Sequence, residues 1–156
     1  MALPVNLKEL AEEMSIQMDG SRVFVNKKTG EIVLVMTEEL SAAEEDESID
    51  DLPEWQQEAV RVAREIIESD DYVRAPTKHD IHEYAIMERF CLDVEDGRAQ
   101  DDLLYAIRGR GAFRMFKDGV RRLGLEQAWY RYRDETLLEQ AREWCEEKGI
   151  PYTTEK

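Results

Sequence analysis

Cysteine, histidine, proline and long apolar runs are all scarce in this chain of 156 residues, and each shortage excludes something. The two cysteines, Cys91 and Cys145, are too few for a disulfide-stapled scaffold. Both lie in apolar-patterned stretches, where a thiol packs rather than reacts, so a reduced, cytoplasmic protein is expected. No run approaches the roughly 18 apolar residues of a membrane span. The start, Met1-Ala2-Leu3-Pro4-Val5, lacks the basic-then-apolar pattern of a signal peptide, so no membrane partner is expected. Basic residues are outnumbered, 21 Lys+Arg against 36 Asp+Glu, for a net charge of −15. A chain so acidic is repelled by phosphate backbones everywhere except at a local basic patch, which argues against nucleic acid.

What is present suits one domain over 1–156. Hydrophobic residues make up 42% of the chain, enough for one modest core beneath a charged surface. Residues 1–36 read as a helix and a β-hairpin. Asn6, three residues before Glu9, has the spacing of a helix-capping pair, and Leu7, Leu10, Ala11 and Met14 follow as an apolar stripe. Arg22–Val25 and Glu31–Met36 are β-branched runs on either side of a loop that closes at Gly30. A lone hairpin is marginal in water, so this one must pack on helices or find a further strand. Residues 37–51 read as a mobile acidic linker: Glu38 to Asp51 carries eight acids and no base.

Residues 52–156 read as helical. Trp55, Ala59, Val62, Ala63, Ile66 and Ile67 recur at helical spacing after Pro53, and Thr77 with Asp80 restarts a helix beyond Pro76. The segment from Ile81 to Cys91 is apolar on more than one side and is the candidate central helix. Further helices are expected after Asp96-Gly97, over 112–123 up to Gly124, over 125–132, and over 136–145 with Asp134 as N-cap. Gly149, Ile150 and Pro151 close the last one. The fold class is therefore α+β and mostly α, with an N-terminal helix and β-hairpin packed on a bundle of about five helices.

Charge is unevenly spread. Leu104 to Asp134 holds eight bases against three acids, so this segment is +5 within a chain of −15. Its first part, Arg108-Gly109-Arg110-Gly111-Ala112-Phe113-Arg114, places two glycines just before a helix. There, free N–H groups and the positive end of the helix dipole favour an anion. Arg108, Arg110 and Arg114 offer forked donors suited to phosphate or carboxylate, and Lys117 extends the basic stripe. The glycine spacing matches neither the phosphate loop nor the dinucleotide fingerprint, and no cofactor motif is present. The plainer alternative makes the glycines a tight helix–helix turn and pairs the basic stripe with the chain's own carboxylates.

The string from Ala106 to Arg114, with Phe116-Lys117-Asp118, resembles the hallmark of the bacterial uncharacterised protein family 0158. Trp129-Tyr130, the ending from Trp144 to Gly149-Ile150, and the hairpin with Thr29-Gly30 fit the same resemblance, which covers most of the chain. Arg110 stands where that family commonly carries Lys, which keeps the charge. The resemblance implies a bacterial, soluble, single-domain protein and no particular activity.

Other constellations carry less. His79 and His82, three apart on an expected helix, could share a face, but no second His or Cys pair completes a metal site. Trp129, Tyr130 and Tyr132 interleave with Arg131 and Arg133 as a stacking platform would, yet their spacing suits a core face equally. No serine or cysteine lies in a nucleophile context. The expected function is a non-catalytic binding or regulatory module that recognises an anionic small molecule or an acidic protein partner. Arg108, Gly109, Arg110, Gly111, Arg114 and Lys117 would carry the recognition. Two alternatives stand beside it. One is a small enzyme on a phosphate-bearing substrate, with the arginines as clamp and a carboxylate or His82 as base. The other is a homo-oligomer whose basic patch or hairpin edge meets a neighbour's acidic run.

Overall fold

A computed structural model describes residues 3–16, 20–45 and 50–154, without the side chains of Lys78 and His79. The chain is α+β and mostly α, and it divides into two compact units, residues 1–80 with 140–156 and residues 81–139.

The first unit opens with β1 (Val5–Asn6) and α1 (Leu7–Ile16). The Asn6 side chain accepts from the Glu9 N–H at 3.0 Å, satisfying one orphan donor of the first helical turn. Leu7, Leu10, Ala11 and Met14 are buried, as their spacing requires. The hairpin forms as expected from β2 (Ser21–Asn26) and β3 (Ile32–Met36), in antiparallel register with Val23 opposite Leu34. Asn26 shapes its turn, its Oδ1 accepting from the N–H groups of Lys28 and Thr29. Gly30 closes the turn at φ 75°, and Leu3 and Pro4 lie directly over it.

A third strand, β4 (Tyr72–Arg74), pairs with β2 to complete the sheet order β3-β2-β4. This is the partner the hairpin needed. β1 pairs in parallel with β5 (Tyr152–Thr153), joining the two ends of the unit.

Half of the expected linker is structured. Thr37–Glu44 forms α2, while residues 46–49 lie outside the described residues. The reason is that Leu40 and Ala43 recur three apart. They pack, with Phe24, Val33, Val62 and Tyr72, against a core of Val35, Ala63 and Ile66. A run read by its charge alone hides that narrow apolar stripe. Ala63 and Ile66 belong to α3 (Glu54–Glu68), which buries Val60, Ala63 and Ile66 and leaves Trp55 exposed. The short α4 (Lys78–Ile81) starts with the expected reciprocal cap. The Thr77 N–H donates to Asp80 Oδ2 at 3.0 Å, and the Asp80 N–H donates to Thr77 Oγ1 at 3.3 Å.

The second unit is helical. α5 (Glu83–Asp93) starts after His82, whose left-handed backbone (φ 57°) interrupts what the sequence suggested was one helix. Ile86, Met87, Phe90 and Cys91 are buried on α5. α6 (Gly97–Ala106) is capped by Asp96, which accepts from the N–H groups of Arg98 and Ala99. α7 (Ala112–Arg122) packs so closely on α6 that a Cβ at Gly119 would lie 2.9 Å from Leu103 Cδ2. α8 (Glu126–Lys148) follows as one helix and contributes to both units. The expected break at Asp134 does not occur. No glycine or proline interrupts the stretch, and Thr136 spends its hydroxyl on the Tyr132 carbonyl one turn back, at 2.8 Å, instead of leaving the helix. An aromatic cluster holds the unit together: Phe116 meets Trp129 edge to face at 4.7 Å, and Phe90 meets Trp129 at 5.4 Å.

Cys91 and Cys145 are free, and each is fully buried. Burial pushes both thiols from 9.0 up to about 11, because a thiolate would lose its hydration there. The stability gained by keeping them neutral is complete below about pH 9 and is lost as pH rises through about 11. At pH 8, iodoacetamide is therefore expected to label neither thiol of the folded chain and both after denaturation. Fast labelling of the native protein, read by mass, would contradict this burial.

Candidate functional site

The glycine–arginine segment occupies the connection between α6 and α7, and both of its ends are anchored. On the α6 side Ile107 is buried, and its carbonyl accepts the Tyr84 hydroxyl of α5 at 2.8 Å. On the α7 side Gly111 takes φ 71°, a left-handed conformation that favours glycine, and the first helical bond runs from the Met115 N–H to the Gly111 carbonyl. No side chain caps α7. The N–H groups of its first turn are therefore left without a side-chain acceptor at the N-cap.

Arg108, Gly109, Arg110, Gly111, Arg114 and Lys117 are all exposed. The Arg108 guanidinium lies 5.8 Å from the centre of the Tyr105 ring, a cation–π contact. The pairing of the basic stripe with the chain's own carboxylates holds only for its C-terminal part. Arg121 contacts Glu126 at 3.3 Å. Among the described residues, Arg108, Arg110, Arg114 and Lys117 take part in no ion pair, although acids outnumber bases across the whole chain.

Three cavities of this unit bear on what could bind. One of about 340 Å³ lies among α5, α7 and α8 and is lined by Glu83, Ile86, Phe113, Lys117, Trp129, Tyr130, Arg133 and Leu137. Another, about 350 Å³, borders Tyr105, Met115, Asp118 and Arg122. A wider one of about 600 Å³ is bordered by Asp93, Glu95 and Glu135, a lining that repels anions. Arg108, Arg110 and Arg114 line none of these three and are exposed. Of the six predicted residues, Lys117 lines one of these three cavities and the other five line none of them.

Phe113, Phe116, Val120 and Leu123 fall at helical spacing on one face of α7, which would seat all four in the core. Phe116 and Val120 are buried and Leu123 is half-buried, but Phe113 is 45% exposed at the cavity rim. It sits in the first turn of α7, ahead of the positions that meet Trp129. Tyr130 is likewise exposed, while Trp129 is buried and Tyr132 packs against Phe90 at 5.5 Å. The three aromatics of that stretch thus point to different surroundings instead of forming one platform. Glu83 and Arg133 of the same cavity pair at 2.9 Å across fifty residues of chain. Nothing local in the sequence signals that contact.

Among the described residues, no three His, Cys, Asp or Glu side chains come together as a metal site. The His79 side chain lies outside the described residues, and the helical run ends at the left-handed His82. No helix among the described residues is long and apolar enough to cross a membrane.

The profile of the Uncharacterised protein family (UPF0158) matches residues 2–156. A UPF0158 protein of Pseudomonas aeruginosa is 36% identical over 66 residues, an alignment covering 42% of this chain and 43% of that protein's length. No solved structure matches.

Proposed function

We propose that this chain, which belongs to the Uncharacterised protein family (UPF0158), is a binding module for an acidic protein partner. Arg108, Arg110, Arg114 and Lys117 supply the charge, and Gly109 and Gly111 set the backbone that presents it. The observation that carries this reading is the absence, among the described residues, of ion pairs at these four cations in a chain of net charge −15. A cation that served the fold would have been matched with one of the many carboxylates at hand. The exposure of all four cations favours an extended partner over a small anion, since a small ligand needs a concave site to bury most of its surface. The partner belongs to the same cytoplasmic compartment in which two reduced thiols persist.

The test is a titration of fluorescein-labelled nonaglutamate followed by anisotropy. Binding is expected in dilute buffer and is expected to weaken steeply as the Debye length falls to about 8 Å at 0.15 M salt. A titration that stays flat in dilute buffer contradicts the reading. So does one whose midpoint ignores salt.

A further inference from the structure

The cavity among α5, α7 and α8 has a lining that surface charge alone does not explain. Phe113 and Tyr130 remain 45% and 48% exposed at its rim, whereas Phe90, Phe116 and Trp129 of the same unit are buried. Trp129 forms a wall that cannot turn away, held edge to face by Phe116 at 4.7 Å and by Phe90 at 5.4 Å. Ile86 and Leu137 complete an apolar interior.

The charged residues of the lining are unequal. Glu83 and Arg133 satisfy one another at 2.9 Å, which leaves Lys117 as the uncompensated charge. At about 100° per residue, Lys117 lies some 40° around α7 from Phe113, and Arg114 about 100° from it on the same side. The apolar rim and the unpaired cations are therefore neighbouring strips of one helix. An apolar centre bordered by polar charge is the anatomy of a protein interface, and anchoring aromatic side chains supply much of the energy in such places.

We infer that this cavity receives an aromatic side chain of the acidic partner, with the partner's flanking carboxylates lying along Lys117, Arg114 and the arginines that precede α7. This rests on the reading of the basic segment as an acidic-partner surface and adds what the partner must carry. The chemistry fits the space. About 340 Å³ is at the lower end of the roughly 300–1,000 Å³ found for ligand pockets, enough for one aromatic ring and small for a folded element. Offset and edge-to-face contacts with Phe113, Tyr130 and Trp129 suit a ring better than an aliphatic chain. An acidic peptide without an anchor would gain only exposed charge pairs, each of low worth and open to screening.

Three labelled peptides separate the possibilities: nonaglutamate, the same peptide with a central Phe, and a Gly-Ser peptide with a central Phe. The acidic peptide with Phe is expected to bind the full-length protein about tenfold or more tightly than either of the others. Phe113→Ala and Tyr130→Ala, both at exposed positions, are expected to reduce it to the level of nonaglutamate while leaving nonaglutamate itself unchanged. Thermal melting of both variants checks that they remain folded. If the two acidic peptides bind equally, the anchor is wrong and the basic surface stands. If the Gly-Ser peptide binds as well as the acidic one, the coupling of cavity to charge is wrong. If no peptide binds, the surface reading and the anchor fall together.

Discussion

Replacing Gly30 with alanine is expected to destabilise the first unit by about 2–5 kcal/mol, whereas the same change at Gly20 is expected to cost about 1–2 kcal/mol. Both glycines have positive φ, 75° at Gly30 and 86° at Gly20, so both substitutions carry the strain of a left-handed L-residue. They differ in what the new methyl group meets. At Gly20 nothing among the described residues lies within 4 Å. At Gly30 a Cβ would lie 2.5 Å from the Pro4 carbonyl oxygen and 2.9 Å from the Pro4 carbonyl carbon, both backbone atoms. The Leu3–Pro4 segment cannot retreat freely, because the Leu3 N–H donates to the Lys28 carbonyl at 2.8 Å and the adjoining Val5 N–H to the Pro151 carbonyl at 2.9 Å. A clash there therefore disturbs the hairpin turn and the β1–β5 pairing together. For a chain of this size the expected loss at Gly30 is several degrees of melting temperature, at about 2–4 °C per kcal/mol. Equal melting of the two variants would mean that the N-terminal strand does not press on the turn.

Reversing two charges, Arg110→Glu with Arg114→Glu, is expected to weaken the binding of nonaglutamate about tenfold in dilute buffer. An exposed ion pair is worth about 0.2–1 kcal/mol, and reversal replaces attraction by repulsion of similar size. Two such changes add to about 0.8–4 kcal/mol, and 1.4 kcal/mol is tenfold in affinity. The effect should shrink as salt rises, because both residues are exposed and their fields are screened. Arg121→Glu is the matching control. Arg121 already contacts Glu126, so its charge is partly spent within the chain.

Much of the local architecture was legible because local chemistry determines it. Asn6, Thr77 with Asp80, and Asp96 cap helices through bonds to N–H groups two or three residues away. The hairpin loop is organised by Asn26 within itself, and the last helix ends with the Ile150 N–H on the Cys145 carbonyl. The features that stayed hidden depend on distant chain. β4 is three residues long and exists because β2 offers it an edge. α2 is held by a sheet and a helix that its acidic sequence does not announce. The basic segment was visible as a composition shift, but that Arg108, Arg110, Arg114 and Lys117 make no ion pair among the described residues is a property of the fold. The cavity beside it needs α5, α7 and α8 brought together, with Glu83 and Arg133 meeting from opposite ends of the unit.

The central claim is that Arg108, Arg110 and Arg114 serve a partner and not the fold. The triple variant Arg108→Gln, Arg110→Gln, Arg114→Gln tests it by thermal melting and nonaglutamate titration on one sample. The expected result is a melting temperature within a few degrees of the parent together with loss of peptide binding. No ion pair among the described residues is removed, only the exposed Arg108–Tyr105 contact, and exposed substitutions usually cost about 0.5 kcal/mol or less each. A variant that melts far lower while binding nonaglutamate as tightly as the parent would show that these arginines hold the structure together, and would contradict the account.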